Sequence, residues 1–249
     1  MTEKPGDRRP PVKAEVHHTH RDVSGGWLRP AVFGAMDGLV SNYALMAGVT
    51  GGSRAVGGGT TAIVLAGLAG LVAGAFSMAA GEFISVSSQS EAAMAEIETE
   101  RRELRENPEA ELNELTGLWV SRGLTPEVAR MVASELSSDP EVALDTHTRE
   151  EIGVTQAELP SAYVAAFSSF AAFTVGAFLP VVPYLLGAES AIWSFMVAVI
   201  GLFGAGALVS TVTTRSWWFS GLRQLILGMA AAGVTFLVGS LVGAGLGAG

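Results

Sequence analysis

The sequence, 249 residues long, contains no cysteine. A disulfide framework, a thiolate metal site and a cysteine nucleophile are therefore excluded, and any soft metal ligand has to come from the eight methionines. Charge is scarce as well: Asp, Glu, Lys and Arg make up 16% of the chain, against about 25% in a typical soluble domain. Basic residues are fewer than acidic ones, 15 against 24, which leaves a net charge of −9. A nucleic-acid binder needs a basic stripe, so that class is set aside and no nucleic-acid partner is expected. Apolar residues reach 49%, too many for a disordered chain, and an ordinary soluble enzyme fits poorly. No nucleotide-binding motif that could power a pump is found in the chain.

The few charges are unevenly placed. Residues 61–80, 161–188, 190–214 and 224–249 hold none, and residues 30–53 hold only Asp37. About 20 apolar residues span a bilayer core of roughly 30 Å. Five transmembrane helices are therefore expected, near 30–50, 62–86, 161–186, 190–212 and 224–246. Residues 1–29 are polar with no apolar centre and read as a flexible segment without a cleavable signal peptide. Gly67, Gly70 and Gly74 in the second span and Gly239 and Gly243 in the fifth would let helices approach closely in lipid. Lys and Arg divide fourteen to one between alternate sides. That bias places the N-terminus and residues 87–160 in the cytoplasm and the C-terminus on the opposite side. Trp217 and Trp218, beside Arg215, read as an interfacial aromatic belt.

Residues 87–160, between the second and third spans, hold 17 of the 24 acidic residues. The first helix of this insert should run straight on from span two to Asn107-Pro108. A second is expected over about 109–122. Thr125-Pro126 and Asp139-Pro140 read as N-cap and first-turn pairs of two more, the last stopping near Gly153. The fold class is thus all-α: a polytopic membrane protein with a small helical cytoplasmic domain. The domain layout is 1–29, 30–86, 87–160 and 161–249. So short an insert cannot bury a large core by itself.

Glu100 and Glu103 are three apart on one helix face, and so are Glu111 and Glu114. Folding back at Asn107-Pro108 would set the two pairs against each other, and the four carboxylates would repel unless a divalent cation sat among them. His147 and Glu151, at i and i+4, could close such a site. The same spacing also fits a solvated acidic face with pairs such as Glu98–Arg101 and Glu98–Arg102. No Glu-x-x-His pair, the mark of ferritin-like di-iron bundles, occurs in the spans or the insert, which weakens an oxidase or storage reading.

Two acids fall inside predicted spans. Asp37 lies well within the first, where a carboxylate costs roughly 2.5–3.5 kcal/mol on insertion scales and is a functional residue by default. Glu82 lies near the insert end of the second, one helical turn from Met78 on the same face. A carboxylate with a thioether suits Fe2+, Co2+ or Mn2+ better than Mg2+ or Ca2+. The cluster His17, His18 and His20 reads as part of a flexible tail rather than a fixed site.

The stretch DVSGGWLRPAVFGAMDGLVSNYALMAGVTGG at 22–52, followed by AGAFSMAAGEFISVSSQSE at 73–91, resembles the vacuolar iron transporter family in its bacterial branch. The resemblance covers nearly the whole chain. It implies a homodimer, and not an enzyme, that moves Fe2+, and often Mn2+, out of the cytosol in exchange for protons. It implies that Asp37 and Met78 line the translocation path. It also implies that the insert binds metal through a Glu-x2-Glu-x7-Glu-x2-Glu pattern, matched by Glu100, Glu103, Glu111 and Glu114, with Glu151 added from its last helix. Eukaryotic members can carry Met near that last Glu, where this chain has His147 and Thr148. No permanent cofactor is expected; Fe2+, or Mn2+, Co2+ or Zn2+, is the transported and domain-bound ion. The competing readings are a membrane-anchored ferroxidase or storage protein and a metal sensor.

Overall fold

A computed structural model describes residues 26–56, 59–153, 155–211 and 215–247. All regular structure among them is helical. Helix α1 covers Leu28–Val56, and α2 covers Thr60–Glu106. Three short helices follow: α3 at Pro108–Ser121, α4 at Pro126–Leu136 and α5 at Pro140–His147. Then come α6 at Ala162–Phe178, α7 at Val182–Leu185, α8 at Ala191–Val209 and α9 at Trp217–Gly247. The cluster His17, His18 and His20 lies outside the described residues.

Among the described residues, five helices are long and apolar enough to cross a membrane. Helix α1 is their hub and packs against α2, α6, α8 and α9. Small residues make this possible. A Cβ at Gly239 would collide with the backbone of Gly48, and one at Gly243 with the backbone of Gly52, so α1 and α9 meet main chain to main chain. A bond from Thr235 Oγ1 to the Ala44 carbonyl, 2.6 Å long, ties the same pair. Large apolar side chains such as Leu65, Phe76, Phe167 and Leu241 face outward, where a bilayer would cover them.

Three expected span boundaries move. The span expected at 30–50 becomes a 29-residue helix. The span expected at 161–186 does not run as one helix: α6 stops at Phe178 and the chain turns before α7. Pro180 has no amide hydrogen, and the Val181 amide bonds back to the Phe178 carbonyl at 3.0 Å instead of continuing the helical ladder. The uniformly apolar run hid this break. The last helix begins at Trp217 rather than near 224. Trp217 and Trp218 therefore sit in its first turn, both more than half exposed.

Helix α2 has 47 residues. At the rise of an α-helix it is about 70 Å long, so about 40 Å extends past a bilayer core. Neither Gly nor Pro interrupts it after Gly81. It ends at Asn107, whose amide bonds to the Glu103 carbonyl at 2.7 Å, and Pro108 starts α3. Asp139 caps α5 as its sequence position suggests, its carboxylate accepting from the Glu141 amide at 2.9 Å. Thr125 precedes α4 with extended backbone, but its side chain makes no capping bond. Helix α3 packs on α4, and α5 with the following turn packs back on α2. The small core this closes contains Ile97, Leu115, Ala129, Ala133, Leu144 and His147.

Candidate functional site

Two groups of donors stand out, one among the spanning helices and one in the insert. The first lines a cavity of about 310 Å³ between α1, α2 and α6, where Asp37, Ser41 and Asn42 of α1 face Gly70, Gly74, Ser77 and Met78 of α2. Phe173 of α6 forms its apolar wall and packs with Ala75, Ala177 and Met78. The structure thus brings together Asp37 and Met78, which come from different helices. The Ser41 hydroxyl donates to the Asp37 backbone carbonyl oxygen at 2.6 Å, which spends its hydrogen and keeps its oxygen an acceptor. Glu82 is partly buried one turn beyond Met78 and is not among the lining residues.

Sequence reasoning missed Asn42. It is 2% exposed, and its Nδ2 donates to the Ala177 carbonyl at 2.6 Å. A polar residue one position past Ser41, on a helix already holding Asp37, was the available signal. A second cavity, of about 300 Å³, lies farther along α1 and includes Tyr43, Thr50, Tyr184 and Ser194. At its wall, Met46 and Tyr184 pack with Ile63 and Val181.

The second group forms where α5 returns to α2. His147, fully buried, turns Nδ1 toward three carboxylates. Glu100 Oε1 lies 3.1 Å away, Glu151 Oε1 3.2 Å and Glu111 Oε2 3.6 Å. The imidazole Nε2 and Glu100 Oε1 have no hydrogen-bond partner. One donor atom each from Glu100, His147 and Glu151 falls within 4.8 Å of the others, close enough to share an ion. Glu151 reaches the group because the chain widens into a π turn over Thr148–Ile152, stopped by Gly153 at φ 83°. Arg122 pairs with Glu150 and stacks over Trp119, which anchors that turn to α3.

The expected quartet does not close as a symmetric box. Glu103 instead accepts a bond from Asn107 Nδ2 at 2.8 Å, at the end of α2. Glu114 stays exposed, near enough for its charge to act on Glu100 and Glu111. Glu98 pairs with Arg101 in solvent at 3.0 Å, so the helix carries both a solvated acidic face and an inward one. Burial first, and then the Glu151 and Glu111 charges, push Glu100 up to about 7. Burial also raises Glu111, against the lowering pull of His147. Carboxyls held this way bind either a proton or a cation.

A sequence profile of the VIT family matches residues 28–240. The chain belongs to the VIT family. A vacuolar iron transporter of Acanthamoeba castellanii is 36% identical over 79% of this chain and 72% of its own length. Vacuolar iron transporter 1 of Arabidopsis thaliana is 26% identical over 91% of this chain and 90% of its own. The protein of the same name in Tulipa gesneriana is 28% identical over 92% and 90%. With five spanning helices, this VIT-family chain is an integral, multi-pass membrane protein.

Proposed function

We propose that this protein, as a bacterial-branch member of its family, moves divalent metal, chiefly Fe2+ and also Mn2+, out of the cytosol in exchange for protons. It works as a homodimer in the bilayer, with the N-terminus and the insert cytoplasmic and the C-terminus opposite. One observation carries the reading: Asp37 and Met78, from separate spanning helices, line a single cavity with neutral oxygen donors. A charged group at that depth is costly unless it serves a passing ion. Relatives named vacuolar iron transporters support iron as the cargo.

The insert supplies the first stop. Glu100, Glu111, Glu151 and His147 would hold a cation, with Glu114 lending charge and Glu103 at the margin. Glu100 lies 22 residues beyond Met78 on the same helix, about 33 Å away along its axis, so the insert concentrates metal at a distance and does not pass it on directly. Glu82, between the two, lies on the approach to the cavity. In the cavity Asp37 takes the ion with Met78 as the softer ligand, and a proton replaces the ion on the carboxylate when it leaves.

The test is flux of Fe2+ and Mn2+ into proteoliposomes holding the full chain, under an imposed pH gradient with membrane potential clamped. Flux should rise when the destination is the proton-rich side. A flux indifferent to the gradient rules out antiport, and no flux at all rules out transport. A sensor reading gains nothing from Asp37, because a sensor needs no carboxylate inside the bilayer.

A further inference from the structure

Helix α6 ends beside the cavity with an unfilled carbonyl. Pro180 cannot donate, and the Val181 amide is spent on Phe178, so no backbone donor in this turn serves Ala177. Asn42 Nδ2 takes that role at 2.6 Å. A carbonyl oxygen only accepts, so the amide group of Asn42 has one possible orientation: its nitrogen faces Ala177 and Oδ1 faces away from it. That oxygen is buried and has no partner. It points across to α2 at Gly70, where a Cβ would stand 2.7 Å from Oδ1 and 2.6 Å from Leu45 Cδ2. The missing side chain at Gly70 leaves room for Oδ1 in the wall of the cavity that Asp37 and Met78 line.

Capping α6 explains the nitrogen and leaves the oxygen unexplained. A buried amide oxygen without a partner is destabilising, and a residue holding one next to a donor-lined cavity is placed for a ligand. We propose that Asn42 Oδ1 is a metal-coordinating oxygen of the membrane path, a neutral hard donor beside the Asp37 carboxylate and the Met78 thioether. The inference rests on the transport reading. A neutral donor adds a bond to the cation without adding charge, so it favours entry without trapping the ion. It matters more to Mn2+, which prefers oxygen, than to Co2+, which gains more from the thioether.

The experiment measures Mn2+ and Co2+ flux in proteoliposomes for the wild-type full chain and for Asn42→Ala, Asn42→Asp and Gly70→Ala, with the melting temperature of each purified protein. Gly70→Ala retains the capping nitrogen of Asn42 and crowds Oδ1. It should raise the half-saturating Mn2+ concentration tenfold or more, and that of Co2+ by less. Asn42→Ala should do the same and also melt lower. Asn42→Asp loses the cap but keeps an oxygen at the cavity wall, so it should melt lower and still bind Mn2+ at least as well as wild type. The proposal is overturned if Gly70→Ala keeps wild-type half-saturation for both ions, or if it lowers only the maximal rate for both alike. It is also overturned if Asn42→Asp loses Mn2+ affinity as Asn42→Ala does, the pattern of a pure cap. Wild-type vesicles without flux overturn the transport reading itself, and this inference with it.

Discussion

The cavity among the spanning helices and the cluster in the insert use the same chemistry at opposite densities. The cavity has one carboxylate, Asp37, among neutral donors. The cluster packs Glu100, Glu111 and Glu151 around one buried imidazole, with Glu114 near. A single carboxylate in a low-dielectric cavity has little to repel it and can exchange a cation for one proton. Crowded carboxylates repel one another until a cation or protons arrive, so an arrangement of this kind gains most from a bound cation or proton. The difference fits the two tasks proposed for them, release at the cavity and capture at the insert.

Removing the lone carboxylate should have the largest effect. Asp37→Asn keeps size and loses charge; at roughly 3 kcal/mol for a lost charged partner, flux at limiting metal should fall about a hundredfold. Metal binding by the insert, measured by anaerobic calorimetry on the same protein, should not change. Wild-type flux in Asp37→Asn would dissolve the contrast between the two sites.

The crowded site should be uneven. Even residues one shell away from a metal typically cost tenfold or more in affinity, so Glu100→Gln should weaken metal binding by about tenfold at least. Glu103→Gln should cost little, because Glu103 is engaged with Asn107. Calorimetry on the two variants reads the difference, and equal losses would restore the symmetric quartet. Changing Glu100, Glu103, Glu111 and Glu114 together to Gln should abolish metal-dependent stabilisation of the protein, while flux survives at high metal.

A smaller effect is expected at Met78. Met78→Leu keeps apolar bulk and removes sulfur, so Fe2+ flux should fall a few-fold and Mn2+ flux less. Equal losses would make Met78 a packing residue.

The smallest effect is on stability against pH. Glu100 titrates near 4.5 when unfolded and about 7 when folded. The metal-free folded insert therefore holds an extra proton between those values. Its stabilising contribution is complete below the unfolded value and is lost as pH rises through about 7. Metal-free protein should thus melt a few degrees lower at pH 8 than at pH 5.5. With metal bound the trend should reverse, because the ion displaces that proton. Scanning calorimetry at both pH values, with and without metal, checks the sign.

Much of the architecture was legible in the sequence because it follows from local rules. Uncharged runs marked the spans, the absence of Gly and Pro between 82 and 106 marked the long α2, and Asp139-Pro140 marked the start of α5. The break after Phe178 was written in Pro180 and Pro183 but was overruled by an apolar run that looked continuous. The choice among the acids was not local. Glu100 and Glu103 share a face by spacing, yet the turn at Asn107 draws Glu103 to itself, and the return of α5 brings His147 to Glu100. Spacing offered His147 and Glu151 as a pair that could close the site, but no spacing rule says which carboxylate His147 meets 47 positions away.

Composition and periodicity alone determined that this chain crosses a membrane, that an acidic helical insert interrupts the crossings, and that Asp37 and Met78 sit within spans. These depend on transfer of single side chains between water and lipid and on helical rise, both of which are properties of a short stretch of chain. Only the tertiary structure decided that Asp37 and Met78 share a cavity, that one face of the insert turns Glu100 and Glu111 inward, and that Asn42 caps α6 while leaving its oxygen unpaired. Those facts depend on how closely helices approach and at what angle they cross. Such contacts are set by the fit of many side chains at once, and each one joins residues that the sequence keeps far apart.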